Sequence, residues 1–254
     1  MALIPLNDGE AQGPAVLEAR DVRKGFQVRR GETRDVLRGV TLRVGAGERV
    51  AIVGPSGSGK SSLLYCLAGL DPVSSGSVAL FGRDVASMSG AHLAREYRER
   101  VGFVFQQYNL VSTLSGFENA VLPMRLSRRR VAADVVRSVL DRLGVGDRGR
   151  ALPGTMSGGE QQRFAIARAL IAHPQLVFAD EPTGALDSEN ADAVVEHLES
   201  LSSSGAALVY VTHDPSLAAR ADRVLVMRDG VLAAELRGAD GAAVLRAMSA
   251  PRAA

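Results

Sequence analysis

The stretch Gly54-Pro55-Ser56-Gly57-Ser58-Gly59-Lys60-Ser61 decides the fold, because it fits the pattern G-x-x-x-x-G-K-[ST]. An apolar run over 49–53 predicts a strand before it, and residues 61–67 predict a helix after it. The glycines let backbone N–H groups turn toward an anion, and the helix start favours negative charge. A plain glycine-rich turn is the alternative, but the full pattern in this context indicates a phosphate-binding loop.

The loop also predicts which residues contact a nucleotide and its magnesium ion. Lys60 is placed to reach the β- and γ-phosphates, and the hydroxyl of Ser61 can bind Mg²⁺. The residues expected around the phosphates are Gly54, Pro55, Ser56, Gly57, Ser58, Gly59, Lys60, Ser61 and Ser62.

Two further apolar runs, 176–179 and 206–212, predict buried central strands that end in polar side chains. A carboxylate at such a strand end is costly unless it meets a cation, so Asp180 is predicted to face Mg²⁺. Glu181 is placed to orient an attacking water molecule, and a neutral His213 can contact the γ-phosphate. The alternatives are a surface turn at 180–182 and a purely structural histidine.

Bulk composition narrows the class of protein. The 254 residues are 46% apolar and 23% charged, as in soluble globular proteins, and a net charge of +2 makes no case for nucleic acid. The single cysteine, Cys66, excludes an internal disulfide; it is either a buried small side chain or a reactive thiol. With no apolar run of about 18 residues and no signal peptide in 1–14, we expect a cytoplasmic protein.

The middle of the chain, about 88–155, is richer in helical patterning than the rest. One predicted helical face, closed by Gly144 as a C-terminal cap, consists of Val131, Val135, Val136, Val139, Leu140 and Leu143. A late hairpin is predicted around Asp229-Gly230. An arginine cluster at 125–130 is either a solvated helix start or a contact with anionic lipid.

Residues 15–235 resemble the ATPase domain of ABC transporters, because the landmarks of that family occur in order. They are a Walker A loop at 54–61, the Q-loop glutamine Gln106, the signature core Ser157-Gly158-Gly159-Glu160, a Walker B strand at 176–180, the catalytic glutamate Glu181, a D-loop Ala185-Leu186-Asp187 and the switch histidine His213. Phe26 falls where the family stacks an aromatic ring on adenine.

The resemblance implies an α/β fold, with a P-loop NTPase core of ABC ATPase type, an antiparallel β subdomain and a helical subdomain. It implies an ATPase domain at 15–240, and the polar and Pro/Gly-containing residues 1–14 predict a flexible N-terminal tail before it. The helical subdomain would span about 88–158, and a short C-terminal tail would follow at 241–254.

The resemblance also implies a head-to-tail homodimer with two ATP molecules between its copies. Ser61, Gln106 and Asp180 would bind Mg²⁺. The catalytic set would be Lys60, Gln106, Glu181 and His213. The residues implied to contact the ATP held by the other copy are Ser157, Gly158, Gly159, Glu160 and Asp187.

The stretches 103–110 and 179–188 are similar to the subgroup of lipoprotein-releasing and macrolide-export ATPases, which also includes cell-division and antimicrobial-peptide-resistance ATPases. Three residues depart from the subgroup's usual pattern: Met156 stands for Leu, Ala185 for Asn and Phe26 for Tyr. The exchange at 156 conserves volume and should matter little. Ala185, in the implied dimer contact, can alter coupling between the two ATP sites.

The function implied is the ATP-hydrolysing subunit of an ABC transporter, which energises integral membrane permease subunits from the inner face of the cell membrane and binds no nucleic acid. The alternative is a regulatory ATPase that drives a non-transporting membrane partner, as in cell-wall hydrolase activation. A soluble ABC protein acting on DNA or ribosomes would need a second ATPase domain or long coiled coils, and this sequence shows neither.

Overall fold

A computed structural model describes residues 15–29, 32–184, 188–203 and 205–250. They form two compact units: residues 89–208 make unit 2, and the chain on both sides of that segment makes unit 1. The predicted tail at 1–14 and the D-loop residues Ala185, Leu186 and Asp187 lie outside the described residues.

The elements follow one another in chain order as strands and helices of both units. Before residue 89 they are β1 Ala15–Arg29, β2 Glu32–Gly45, β3 Arg49–Val53, α1 Lys60–Leu67, β4 Ser75–Leu80 and β5 Arg83–Asp84. Next come α2 Gly90–Arg100, β6 Val101–Val104, α3 Gly116–Leu126, α4 Ala133–Arg142, α5 Gly158–Ala172, β7 Leu176–Asp180, α6 Ser188–Ser203 and β8 Ala207–Val211. The last are α7 Pro215–Ala218, β9 Arg223–Arg228, β10 Val231–Arg237 and α8 Gly241–Ser249.

Unit 1 contains an antiparallel sheet in the order β2-β1-β4-β5. Alternate residues of β1, including Leu17 and Ala19, are buried, whereas Arg20 and Asp21 are exposed. This pattern is that of a sheet with one face on the core and one in water. The predicted antiparallel β subdomain is confirmed.

A second group of strands in unit 1 positions the phosphate loop. β3 pairs in parallel with β9, with Val53 opposite Val226, and residues 50–53 are completely buried. β9 and β10 form the predicted hairpin. Its two turn residues, Asp229 and Gly230, both have positive φ, at 47° and 81°, which is the geometry of a type I′ turn.

In unit 2, β6 pairs in parallel with β7, and Val104 lies opposite Ala179. Every residue of β7 is buried, as predicted for a central strand. The sequence shows only helical patterning around β6, because a four-residue strand containing Gly102 has neither alternation nor a long apolar run. No helix in the described residues is long and apolar enough to cross a membrane.

Helix α4 confirms most of the predicted apolar face but corrects two residues of it, Val131 and Val135. Val131 precedes the helix and is only half-buried. Val136, Val139 and Leu140 are buried, whereas the side chain of Val135 is 47% exposed. The buried residues lie three and four positions apart, and Val135 is about 100° around the helix from Val136. Gly144 follows the helix with φ 65°, as predicted for a C-terminal cap.

Candidate active site

The phosphate loop leaves β3 at Val53 and enters α1 at Lys60. Gly54, Gly57 and Gly59 have φ values of 148°, 77° and 97°, which side chains rarely adopt. A Cβ atom on Gly54 would also lie 2.2 Å from the backbone oxygen of Met227, whereas one on Gly57 would have nothing within 4 Å. The loop therefore requires glycine at 54 for close backbone packing, and it is open beside Gly57.

The start of α1 carries no side-chain cap. Gly59 is its N-cap residue, and neither a capping hydrogen bond nor an acidic residue occurs in the first turn. Lys60 Nζ donates to the backbone oxygens of Gly54, at 3.0 Å, and Pro55, at 3.1 Å. The ammonium group thus lies over the loop, beside backbone N–H groups suited to an anion.

The turn of the β9–β10 hairpin contacts the phosphate loop through backbone atoms. Gly230 donates its backbone N–H to the oxygen of Ser58 at 3.1 Å, and its own oxygen accepts from Arg38 N at 2.9 Å. A Cβ atom on Gly230 would lie 2.4 Å from the backbone oxygen of Val36. The sequence does not predict this contact, because a hairpin turn carries no local signal for the residues it contacts.

His213 lies at the edge of unit 1 from which the phosphate loop leaves. Thr212 donates its backbone N–H to Ile52 O at 3.2 Å, which places the end of β8 beside the end of β3. His213 is exposed, and Asp214 caps α7 by accepting from Ser216 N at 2.8 Å. Unit 1 therefore brings the loop and the predicted switch histidine to one edge, where open parallel sheets bind their ligands.

Phe26, on β1, is 45% exposed, as a ring available for stacking should be. The ammonium of Lys24 lies 5.0 Å from the centre of this ring. Lys24 is itself buried, and it donates to Asp71 Oδ1 and to the backbone oxygen of Pro72. Asp71 in turn donates its N–H to Tyr65 O of α1 at 3.2 Å. A partly buried ion pair, which no sequence pattern predicts, therefore joins the Phe26 strand to α1.

In unit 2, the predicted metal-binding and catalytic residues lie at one edge of the β6–β7 pair. Asp180 ends β7 and is 1% exposed, and Glu181 follows it. Because Val104 is opposite Ala179, Gln106 leaves the same edge two residues after β6 ends. Glu181 has φ 47°, a left-handed conformation that is uncommon outside glycine and frequent at functional sites.

The signature residues form the start of α5. Ser157 is the N-cap, and its hydroxyl accepts from Glu160 N at 3.2 Å, while Glu160 Oε2 accepts from Ser157 N at 2.7 Å. This reciprocal pair is a capping box. In the next turn Gln162 Nε2 donates to Pro182 O at 2.6 Å, so the helix start is fixed beside the segment that follows Glu181.

The segment after Gln106 is also tied to α5. Tyr108 and Asn109 are both left-handed, and their backbone oxygens accept from the guanidinium of Arg168 at 3.0 and 2.7 Å. Burial lowers the pKa of Arg168. A Cβ atom on Gly158 would lie 2.8 Å from the Tyr108 hydroxyl. Arg168 shows no sequence signal for this role, because its partners are backbone atoms.

The residues suit the groups that the sequence predicts. Mg²⁺ prefers oxygen ligands, and Asp180 and Gln106 offer a carboxylate and an amide oxygen at one strand edge of unit 2. Ser61, which belongs to unit 1, has a hydroxyl of the kind that also binds Mg²⁺. Among the described residues, no group of three His, Cys, Asp or Glu side chains can hold a metal ion. The glycine loop with Lys60 and the uncapped α1 suits phosphates.

Comparisons with known proteins identify the family of the chain. The family model described as ABC transporter matches residues 37–184. The macrolide export ATP-binding/permease protein MacB of Bdellovibrio bacteriovorus is 41% identical over 223 residues, 87% of this chain and 34% of that protein. MacB of Escherichia coli K12 is 43% identical over 217 residues, 85% of this chain and 33% of that protein. The chain thus spans about a third of the length of these relatives.

Solved structures show the same fold. The cassette MJ0796, solved as a dimer in a post-hydrolysis state with ADP and Pi, has a TM-score of 0.81 and 33% identity, over 88% of this chain and 99% of that one. A second dimeric structure of MJ0796, described as a bacterial ABC transporter cassette, has a TM-score of 0.82 at the same identity and coverage.

Proposed function

The chain belongs to the ABC transporter family and is an ATPase cassette of that family, and on this basis we propose that it works as a head-to-tail homodimer with two ATP molecules between its copies. The pairing is supported by the two solved cassettes, which are both dimers. The observation that carries the binding of ATP is the glycine loop with Lys60 at the uncapped start of α1, since this arrangement suits a triphosphate.

We assign the binding of one ATP molecule to residues of known placement in unit 1. Phe26 stacks on the adenine ring through its exposed face. Lys60, which bonds to the loop's own oxygens, exchanges these bonds for phosphate oxygens. The phosphates contact Gly54, Pro55, Ser56, Gly57, Ser58, Gly59, Lys60, Ser61 and Ser62.

We propose that Ser61, Gln106 and Asp180 would hold Mg²⁺, which would offset the negative charge of the phosphates. Glu181 orients the attacking water and accepts its proton, because a carboxylate can act as a general base. His213 donates a hydrogen bond to the γ-phosphate. Lys60 stabilises the charge that develops as the phosphoryl group leaves.

We assign the second wall of each ATP site to the partner copy. Ser157 Oγ accepts from Glu160 N and keeps its own O–H to donate to the γ-phosphate. Glycine at 158 and 159 permits close approach of the helix start to the phosphates. The full set is Ser157, Gly158, Gly159, Glu160 and Asp187, of which Asp187 lies outside the described residues.

The cassette drives a membrane partner in this proposal. The names of the MacB relatives combine ATP-binding and permease functions, and this chain matches about a third of them. We propose that residues 15–240 form the ATPase domain, with the helical subdomain at 88–158. ATP binding and hydrolysis there energise permease subunits on a separate chain, from the cytoplasmic face of the membrane and toward export.

The test is Glu181→Gln, which keeps the ATP contacts and removes the base. We expect ATP binding to persist, hydrolysis to fall at least about 100-fold, and a stable dimer to appear with Mg-ATP. Adding Lys60→Ala is the control, because losing the phosphate contact should return the protein to a monomer. Analytical ultracentrifugation and phosphate release measure both effects.

Robust hydrolysis by Glu181→Gln would remove this residue from the catalytic role, and a monomer under all nucleotide conditions would overturn the pairing. The trapped dimer also tests the membrane partner by co-purification from detergent-solubilised host membranes. An integral membrane protein with a large extracytoplasmic domain supports export-type coupling. Recovery of soluble proteins alone contradicts it.

A further inference from the structure

The signature segment places a negative charge at the start of α5. The carboxylate of Glu160 is fixed there, since one of its oxygens accepts from Ser157 N at 2.7 Å. The hydrogen bond from this backbone N–H is the largest effect on the Glu160 pKa and lowers it, so the group stays ionised at neutral pH. A triphosphate approaching the helix start would meet this charge.

Arg148 occupies the other oxygen of the same carboxylate. It ends a 3-10 turn at Gly146–Arg148, and its Nε donates to Glu160 Oε1 at 2.8 Å. A terminal nitrogen of the same guanidinium donates to Thr155 O at 2.8 Å, two residues before the N-cap. The planar group thus bridges the carboxylate and the backbone that leads into α5.

Capping alone does not require such an arginine. Helix α3 begins with the same capping box, in which Ser115 N donates to Glu118 Oε2 at 3.0 Å. There an arginine, Arg125, also pairs with the carboxylate and helps to lower its pKa, but its nitrogen stands 3.7 Å from Glu118 Oε1, beyond ordinary hydrogen-bond length. The close pairing at Glu160 is therefore an addition to the cap.

The charges indicate what this addition does. A helix start carries about half a positive charge, and an ionised glutamate in its first turn reverses the sign. A guanidinium at hydrogen-bond distance from the glutamate makes the net charge at the helix start positive again. The ion pair is only partly screened by water, because the side chain of Glu160 is 20% exposed and that of Arg148 is 43% exposed.

We propose that Arg148 is a positioning residue of the signature motif: it neutralises Glu160 so that the start of α5 attracts the triphosphate held by the partner copy. The proposal rests on the proposed function, in which this helix start closes over ATP. It adds a residue outside the signature motif and gives a charge-based reason for it.

The experiment measures dimer dissociation in the Glu181→Gln protein with Mg-ATP, by ultracentrifugation at two salt concentrations. Arg148→Gln should weaken pairing about tenfold at low salt, because the Glu160 charge then repels the phosphates. The loss should shrink at high salt, where such repulsion is screened. Adding Glu160→Gln to Arg148→Gln should recover most of the loss, because the amide oxygen can still accept from Ser157 N.

The matched control is Arg137→Gln, which breaks an exposed ion pair with Asp134 in α4 of the same unit, 2.8 Å long; it should leave pairing unchanged. If the parent protein pairs and Arg148→Gln pairs equally well at low salt, the role of Arg148 is overturned. The role of Arg148 is also overturned if adding Glu160→Gln does not restore pairing, because the loss of pairing then comes from a change in structure and not from the charge of Glu160. If the parent never pairs, the proposed function fails as well.

Discussion

Helices α1 and α5 both begin at a predicted ATP-binding motif, yet they treat their first backbone N–H groups in opposite ways. At α1 the N-cap is Gly59, with φ 97°, and the helix has no side-chain cap. At α5 the side chains of Ser157 and Glu160 satisfy the backbone on both sides of the helix start, and Arg148 balances the charge. The backbone N–H groups at the start of α1 are left for a ligand, whereas those at the start of α5 are capped by side chains of the protein.

The difference has a physical reason. An uncapped helix start is destabilising, since capping typically contributes about 1 kcal/mol, and α1 offsets this by packing buried residues such as Leu63, Leu64 and Leu67. Its donors can then bind three phosphates in sequence. In the proposed dimer the α5 start meets only one end of a nucleotide, so it can keep its cap and contribute a hydroxyl proton and a local positive potential.

The largest effect should come from Gly54→Ala in the phosphate loop. The new Cβ would meet Met227 O at 2.2 Å, at a φ of 148°, so the unfolding free energy should fall by about 3 kcal/mol or more. Gly57→Ala is the matched variant: it has the left-handed cost of about 1–2 kcal/mol but no contact within 4 Å. Chemical denaturation measures both, and equal losses would show that packing does not set the loop's shape.

An intermediate effect should come from Ser157→Ala, which removes the cap of α5. It should lower the unfolding free energy by about 1 kcal/mol and also weaken ATP-dependent pairing, because cap and phosphate donor are one hydroxyl. Ser115→Ala removes the same kind of cap from α3 and should cost as much stability without affecting pairing. If both variants lose pairing equally, the loss comes from the lower stability of the fold and not from a missing phosphate contact.

The smallest effect should appear in acid. The folded pKa of Glu160 lies below its ordinary value of 4.5, mainly through Ser157 N. Its contribution to stability is therefore complete above about pH 4.5 and is lost as the pH falls through the lower folded pKa. Glu160→Gln should flatten the acid limb of stability against pH, and Glu118→Gln, in the other capping box, should do the same. If the acid limb of the Glu160→Gln variant is unchanged, the ionised carboxylate of Glu160 does not contribute to the stability of the fold.

Much of this architecture could be predicted because its signals are local. β3, the phosphate loop and α1 follow one another within about twenty residues, and β7 and β8 each show as a short apolar run. Gly144 and Asp229-Gly230 mark a helix end and a turn through backbone conformation alone. The strand β6 was missed, and Val135 was wrongly placed on a buried face, because four residues and one helical position carry too little pattern.

The sequence by itself determined the kinds of chemistry: a glycine loop for phosphates, carboxylates at the ends of buried strands and a serine at a helix start. Local conformation and residue type suffice for these. Only the tertiary structure decided that Gly230 holds Ser58, that Arg168 holds the backbone after Gln106, and that Arg148 reaches Glu160. Each of these contacts joins residues distant in the chain, often through backbone atoms that every residue shares, and so leaves no pattern in the order of amino acids.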